Sequence, residues 1–269
     1  MTKLSLSRRV LSRRGLTLLE LVVVLVILIG LAGIVVPMLP SMLGRTETSS
    51  GATNHTEISK WVQTYEQIYL GYPKDWDSLT DIGGTKKITY VRGGGGIVLD
   101  SGLTAGEADA LNGAGITRLQ AMVEAPTGIA PPPPNNKTFD PYTDPSYDTN
   151  KIKPAAGTKL VILTKEGQQS LGLSDGTDSP AKYVVFGFGN RASIIGKTTQ
   201  NAPVVFRDDG SKTPDQVYCR YGVVFQVTNA DGTTLERARF VGTCNFKGPG
   251  VFNSDADLEE FYDLNKGGA

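Results

Sequence analysis

The hydrophobic and polar positions divide the chain into one long apolar block and a mixed remainder. From Leu16 to Val36, 21 consecutive residues carry a single charge, Glu20. At about 1.5 Å per residue, a helix of that length just crosses a hydrocarbon core roughly 30 Å thick, so the pattern predicts a membrane-spanning helix. After Pro37 and Pro40, Gly44 to Thr56 is rich in Thr, Ser and Gly, which predicts a loosened turn. Between Glu57 and Leu70, the residues Ile58, Trp61, Val62, Tyr65, Ile68 and Tyr69 recur near helical spacing. That stripe predicts a second helix fit to pack on a sheet, stopping at Gly71-Tyr72-Pro73.

The rest of the chain reads as short elements. A hairpin is predicted from Ile88 to Leu99 around the glycines at 93 to 96. Thr104 to Ala125 predicts two short helices, with Thr104 and Glu107 as a capping box and a break at Asn112-Gly113-Ala114-Gly115. Pro131 to Pro154, with its polyproline run, predicts a semi-rigid surface loop. Strands are predicted at Lys159–Thr164, Lys182–Phe188, Pro203–Phe206, Val217–Thr228 and Leu235–Cys244. The fold class is therefore α+β: a long N-terminal hydrophobic helix packed on an antiparallel sheet, with extra short helices.

Asp231-Gly232 is a two-residue hairpin signal. Counting outward from a closing pair Ala230:Thr233 sets Cys219 opposite Cys244 at a non-hydrogen-bonded position, where a cross-strand disulfide is feasible. That register puts Tyr221, Val223, Phe225, Val227, Ala238 and Phe240 on the cysteines' face, and Arg220, Gln226, Thr228, Arg237 and Arg239 on the other.

Charge gives the block a direction. Met1 to Gly15 holds Lys3, Arg8, Arg9, Arg13 and Arg14 and no acid, a bias that keeps the N-terminus cytoplasmic and sends the remainder across. The whole chain balances 27 basic against 27 acidic residues, and without those five it has 22 against 27. A mildly acidic remainder argues against a general nucleic-acid binder, which needs a basic stripe. Outside the cytoplasm, two cysteines favour a disulfide.

Candidate chemistry is sparse. The sole histidine, His55, lies in the polar segment, leaving no Ser-His-Asp or Cys-His arrangement, so no enzyme activity is expected. Gly187-Phe188-Gly189-Asn190-Arg191-Ala192 follows an apolar strand and fits a dinucleotide fingerprint, with Asp208 further on, but the stretch from Arg191 to Asn201 is a poor helix. Gly196-Lys197-Thr198 would end a phosphate loop only if Arg191 were glycine. Trp61 and Trp76 read as core aromatics rather than ligand-stacking residues. No cofactor is expected; calcium is the one candidate, at Asp140, Asp144 and Asp148 or at Asp255 and Asp257, though no Asp-x-Asp-x-Asp-Gly loop is present.

Arg13-Arg14-Gly15-Leu16-Thr17-Leu18-Leu19-Glu20-Leu21 resembles the prepilin signal of type IV pilins and type II secretion pseudopilins. The resemblance implies cleavage by a prepilin peptidase between Gly15 and Leu16 and N-methylation of Leu16. It also implies that Glu20 neutralises a neighbouring subunit's terminal ammonium during filament assembly. Pro37 matches a helix-kink proline of that family. The family's Gly-x-Pro helix end resembles Gly71-Tyr72-Pro73 with Trp76 and Leu79 beyond, and its Asp-Pro-aromatic loop resembles Asp140-Pro141-Tyr142. Leu16 departs from the more usual phenylalanine.

On this resemblance the chain divides into a leader (1–15), a transmembrane and assembly segment (16–43), an outer helical segment (44–72) and an extracytoplasmic α+β head (73–269). The implied partners are the peptidase, other pilin or pseudopilin subunits, an inner-membrane assembly platform and membrane lipid. Localisation follows as a single-pass inner-membrane protein, then a periplasmic or extracellular filament. The rival is a permanently anchored extracytoplasmic ligand-binding domain.

Overall fold

The computed structural model describes residues 18–36, 39–84, 97–99, 101–121, 151–173, 179–203 and 220–245. The chain forms two compact units, Met1–Gly44 and Arg45–Ala269. In the first, helix α1 (Leu18–Val35) buries none of its residues. Pro37 falls between α1 and α2 (Leu39–Tyr69) but lies outside the described residues.

The expected loosened turn over Gly44 to Thr56 is not found, because α2 is helical from Leu39 to Tyr69. Ser and Thr favour turns when their hydroxyls compete for backbone groups. Here Thr56 Oγ1 and Ser59 Oγ instead donate back to the carbonyls of Ala52 and His55, at 3.1 and 2.9 Å, within the helix. Ala52, His55, Ile58, Val62 and Tyr65 are buried, so tertiary packing overrides local propensity. Ile68 and Tyr69, expected in the stripe, are exposed.

Among the described residues, eight strands make one mostly antiparallel sheet. They are β1 (Trp76–Asp77), β2 (Ile97–Leu99), β3 (Leu119–Gln120), β4 (Lys151–Ile152), β5 (Val161–Leu163), β6 (Lys182–Gly187), β7 (Tyr221–Thr228) and β8 (Thr234–Asn245). Strand β6 is the hub: β7 runs along one edge, while β5 meets Val184 and β1 meets Gly187 on the other. β2 extends β5, and β8 extends β7. β3 joins β1 in a parallel pair and β4 in an antiparallel one.

Alternation along β6 and β7 builds two apolar layers. Phe186, Val223, Phe225 and Val227 pack with Trp76, Phe188 and the α2 stripe. Tyr183, Val185 and Val224 pack on the opposite face with Leu79, Val161 and Leu163. Trp76 meets Phe188 edge-on with ring centres 5.3 Å apart, and Trp61 meets the same ring at 6.4 Å, so both tryptophans are structural.

The capping box forms as the sequence predicts, opening helix α3 (Ala105–Gly113). The Glu107 amide donates to Thr104 Oγ1 at 3.2 Å, and the Thr104 amide donates to Glu107 Oε2 at 2.8 Å. The second short helix expected before Ala125 is not formed over the described residues: Leu119 and Gln120 are strand β3, and residues 122–125 lie outside them. The reason is the neighbour. The Asp75 amide donates to the Arg118 carbonyl, the Ser78 amide to the Gln120 carbonyl, and the Arg118 guanidinium holds the Asp75 carboxylate in a bidentate pair. A short helix α4 (Lys165–Ser170), which the apolar pattern did not indicate, is capped by Thr164.

The β7–β8 ribbon departs from the expected register. Its loop has three residues, Ala230-Asp231-Gly232: the Asn229 amide donates to the Thr233 carbonyl at 2.8 Å, and Gly232 has φ +84°. The register shifts first between Thr228, which pairs with Thr234, and Gln226, which pairs with Arg239; it shifts again where Phe225 pairs with Phe240 and Val224 with Gly242, so Val241 is an extra residue and Gly242 to Asn245 change face. Cys244 consequently stands across from Gly222, packed beside Val224 and Val185 as a buried thiol with no disulfide partner among the described residues. The Tyr221, Val223, Phe225, Val227, Ala238, Phe240 group does share one layer, but Cys244 belongs to the other. Cys219 lies outside the described residues.

Candidate functional site

Every residue of α1 is solvent-exposed, from 48% at Val22 to 83% at Leu18 among the large apolar side chains. A helix apolar on all sides has no face to turn toward water, and exposed apolar patches of this size need a cover. Among the described residues, one helix, near the N-terminus, is thus long and apolar enough to cross a membrane, as a span or as a signal sequence. Glu20 stands in its first turn. There the partial positive charge of the helix N-terminus favours a carboxylate. Gly15 and Leu16 lie outside the described residues, as do the acids Asp140, Asp144, Asp148, Asp255 and Asp257. Among the described residues, no group of three or more His, Cys, Asp or Glu side chains could hold a metal ion.

The two nucleotide lookalikes resolve into packing. Residues 188–203 after β6 contain no helix to receive a phosphate, and Asp208 lies outside the described residues. At Gly189 a Cβ would collide with the Asp77 carboxylate, so glycine serves a close approach inside the fold. Lys197 lies over the rings of Tyr69 and Tyr65, 4.3 and 5.0 Å from their centres, and donates to the Tyr65 hydroxyl at 3.1 Å. Its ammonium clamps a loop to α2.

The site that the residue pattern did not reveal is centred on His55. Its side chain is 3% exposed, and Nδ1 lies 2.8 Å from Thr243 Oγ1 of β8. The ring stands edge-on to Tyr221 of β7, with centres 5.0 Å apart and planes at 90°. The buried Nε2 has no hydrogen-bond partner. An unmet buried polar atom costs about 1–3 kcal/mol. Burial lowers the imidazole pKa from 6.5 to about 4, so His55 is neutral at physiological pH. Beside it lies a cavity of about 210 Å³, walled by His55, Thr56 and Ser59 of α2, Leu171 and Leu173 after α4, and Val241, Gly242 and Thr243 at the β8 bulge. The signal lay in the stripe itself: carried back one turn from Ile58, the spacing lands on His55.

No protein family, curated protein or solved structure matches this chain.

Proposed function

We propose that the protein is a structural subunit of the pilin or pseudopilin type, processed at Gly15–Leu16 and assembled into a filament through its N-terminal helix. The observation that carries this reading is α1, an apolar helix exposed on every side with one carboxylate, Glu20, in its first turn. In the sequence, Arg13, Arg14 and Gly15 stand directly before the apolar run that opens at Leu16, completing a prepilin-like signal. A charge near the bilayer centre costs on the order of 2.5–3.5 kcal/mol. Leu16 opens the span and Glu20 lies four residues inside it, so each bears only part of that cost; pairing the Glu20 carboxylate with the terminal ammonium of a neighbouring Leu16 joins two opposite charges at the membrane edge and sets the axial register of stacked helices. The mixed α+β fold, with α2 docked on a mostly antiparallel sheet, suits a head carried outside that helical core.

In this reading the peptidase, the assembly platform and the driving ATPase are separate proteins, and the chain performs no catalysis. Substituting Glu20 by Gln or Ala tests it. Both variants are expected to keep a folded head and membrane insertion while filament yield falls at least tenfold by sedimentation or electron microscopy. Filaments of normal yield and length from Glu20→Ala would contradict the role given to Glu20.

A further inference from the structure

We propose that the cavity between α2 and the β8 bulge binds a small uncharged ligand uniting a branched aliphatic body with an amide or hydroxyl head. The inference stands independently of the filament reading.

Two features of the walls carry it. Leu171, Leu173 and Val241 give an apolar side, and all three also pack against the smaller core layer, which fixes their places. The other side is polar without charge. Thr56 and Ser59 direct their hydroxyl protons to the Ala52 and His55 carbonyls, so each retains lone pairs to accept from a ligand. His55 is neutral and is held through Nδ1 by Thr243, so it adds a polar ring to the wall without a charge. No lining residue is an acid, a lysine or an arginine, so a charged ligand would leave water without a counter-charge.

Size narrows the class. About 210 Å³ is below the roughly 300–1,000 Å³ of pockets that enclose drug-sized molecules, which excludes nucleotides and oligosaccharides as fully bound ligands. The bulge also makes the site. Gly242 pairs with Val224, and a Cβ built on it meets nothing within 4 Å, so its missing side chain leaves open space beside the strand.

Isobutyramide is the probe, added to the full-length protein in nanodiscs. His55 is the sole histidine, so its ring resonances in NMR report the site without ambiguity. We expect a saturable shift of those resonances with a Kd on the order of millimolar, in line with the ceiling on ligands of a few heavy atoms. Filling the space with Gly242→Ile should weaken the probe at least tenfold while the ring signals stay dispersed and the melting temperature is preserved. Isobutyrate should bind at least tenfold more weakly than the amide. A linear, unsaturable response of the His55 signals in folded protein would overturn the site. Retained binding in folded Gly242→Ile would place the probe elsewhere and also overturn it. Should Gly242→Ile fail to fold, Gly242→Val in the same titration decides between these outcomes. Equal affinity for the carboxylate would overturn the assigned ligand class.

Discussion

The Lys182 ammonium of β6 lies 3.0 Å from the buried Glu107 carboxylate at the start of α3. Glu107 also receives the Thr104 amide on Oε2 and the Thr228 hydroxyl on Oε1, so one side chain ties the capping box to β6 and β7. Burial alone would raise its pKa, but the Thr104 amide, the Lys182 ammonium and the Thr228 hydroxyl together outweigh it and hold the carboxyl below its usual value of 4.5. A carboxylate with a depressed pKa contributes stability above its unfolded value and loses it as pH falls through the folded one. Glu107→Gln should therefore lower head stability at neutral pH by about 1–3 kcal/mol and flatten the loss of stability below pH 4.5. Denaturant midpoints measured across the acid range check both effects.

His55 acts in a different window and through the opposite charge. Its pKa is 6.5 when unfolded and about 4 when buried, so only the unfolded chain takes up the proton between those values. Stability should be flat above pH 6.5, fall by about 3 kcal/mol toward pH 4, and owe no further slope to this residue below that. His55→Gln should abolish the loss between pH 6.5 and 4.5 while leaving the Glu107 limb in place. Thermal melts of the two variants at matched pH separate the contributions.

Two glycines separate steric need from empty space. Gly189→Ala drives a Cβ into the Asp77 carboxylate at the β1–β6 junction and should cost about 1–3 kcal/mol. Gly242→Ala meets nothing within 4 Å and lies outside the positive-φ set, so its effect should stay within about 0.5 kcal/mol. Parallel unfolding curves test the contrast. Equal losses would show that contact with the Asp77 carboxylate does not set the cost at Gly189.

Features set by local chemistry were legible in the sequence. Thr104 and Glu107 lie three residues apart and cap each other whatever surrounds them. The apolar block needs only its own length to be read as a span, and Gly71-Tyr72-Pro73 follows the last helical residue, Tyr69, closely. Features set by neighbours were not legible. The Ser- and Thr-rich part of α2 looks like a turn until Ala52 and His55 are seen buried in the second compact unit. Leu119 and Gln120 extend a helical pattern in sequence, but Trp76 and Asp77 are there to pair with them. Two register shifts, one between Gln226 and Thr228 and one at the Val241 bulge, separate the ribbon from a simple count outward from the turn, and the second sets Cys244 on the other face; nothing local announces either. The same bulge helps wall the His55 cavity, so the site escaped the pattern for the reason the cysteine register did.

In the proposed function the N-terminal helix is processed and then packed against copies of itself. Intact-mass and N-terminal analysis of the protein taken from its native membrane tests it most directly. The expected result is a mature chain that begins at N-methylated Leu16, with Met1 to Gly15 removed. A chain that keeps those 15 residues in cells with active prepilin peptidase would contradict it and leave a permanently anchored binding domain as the better description.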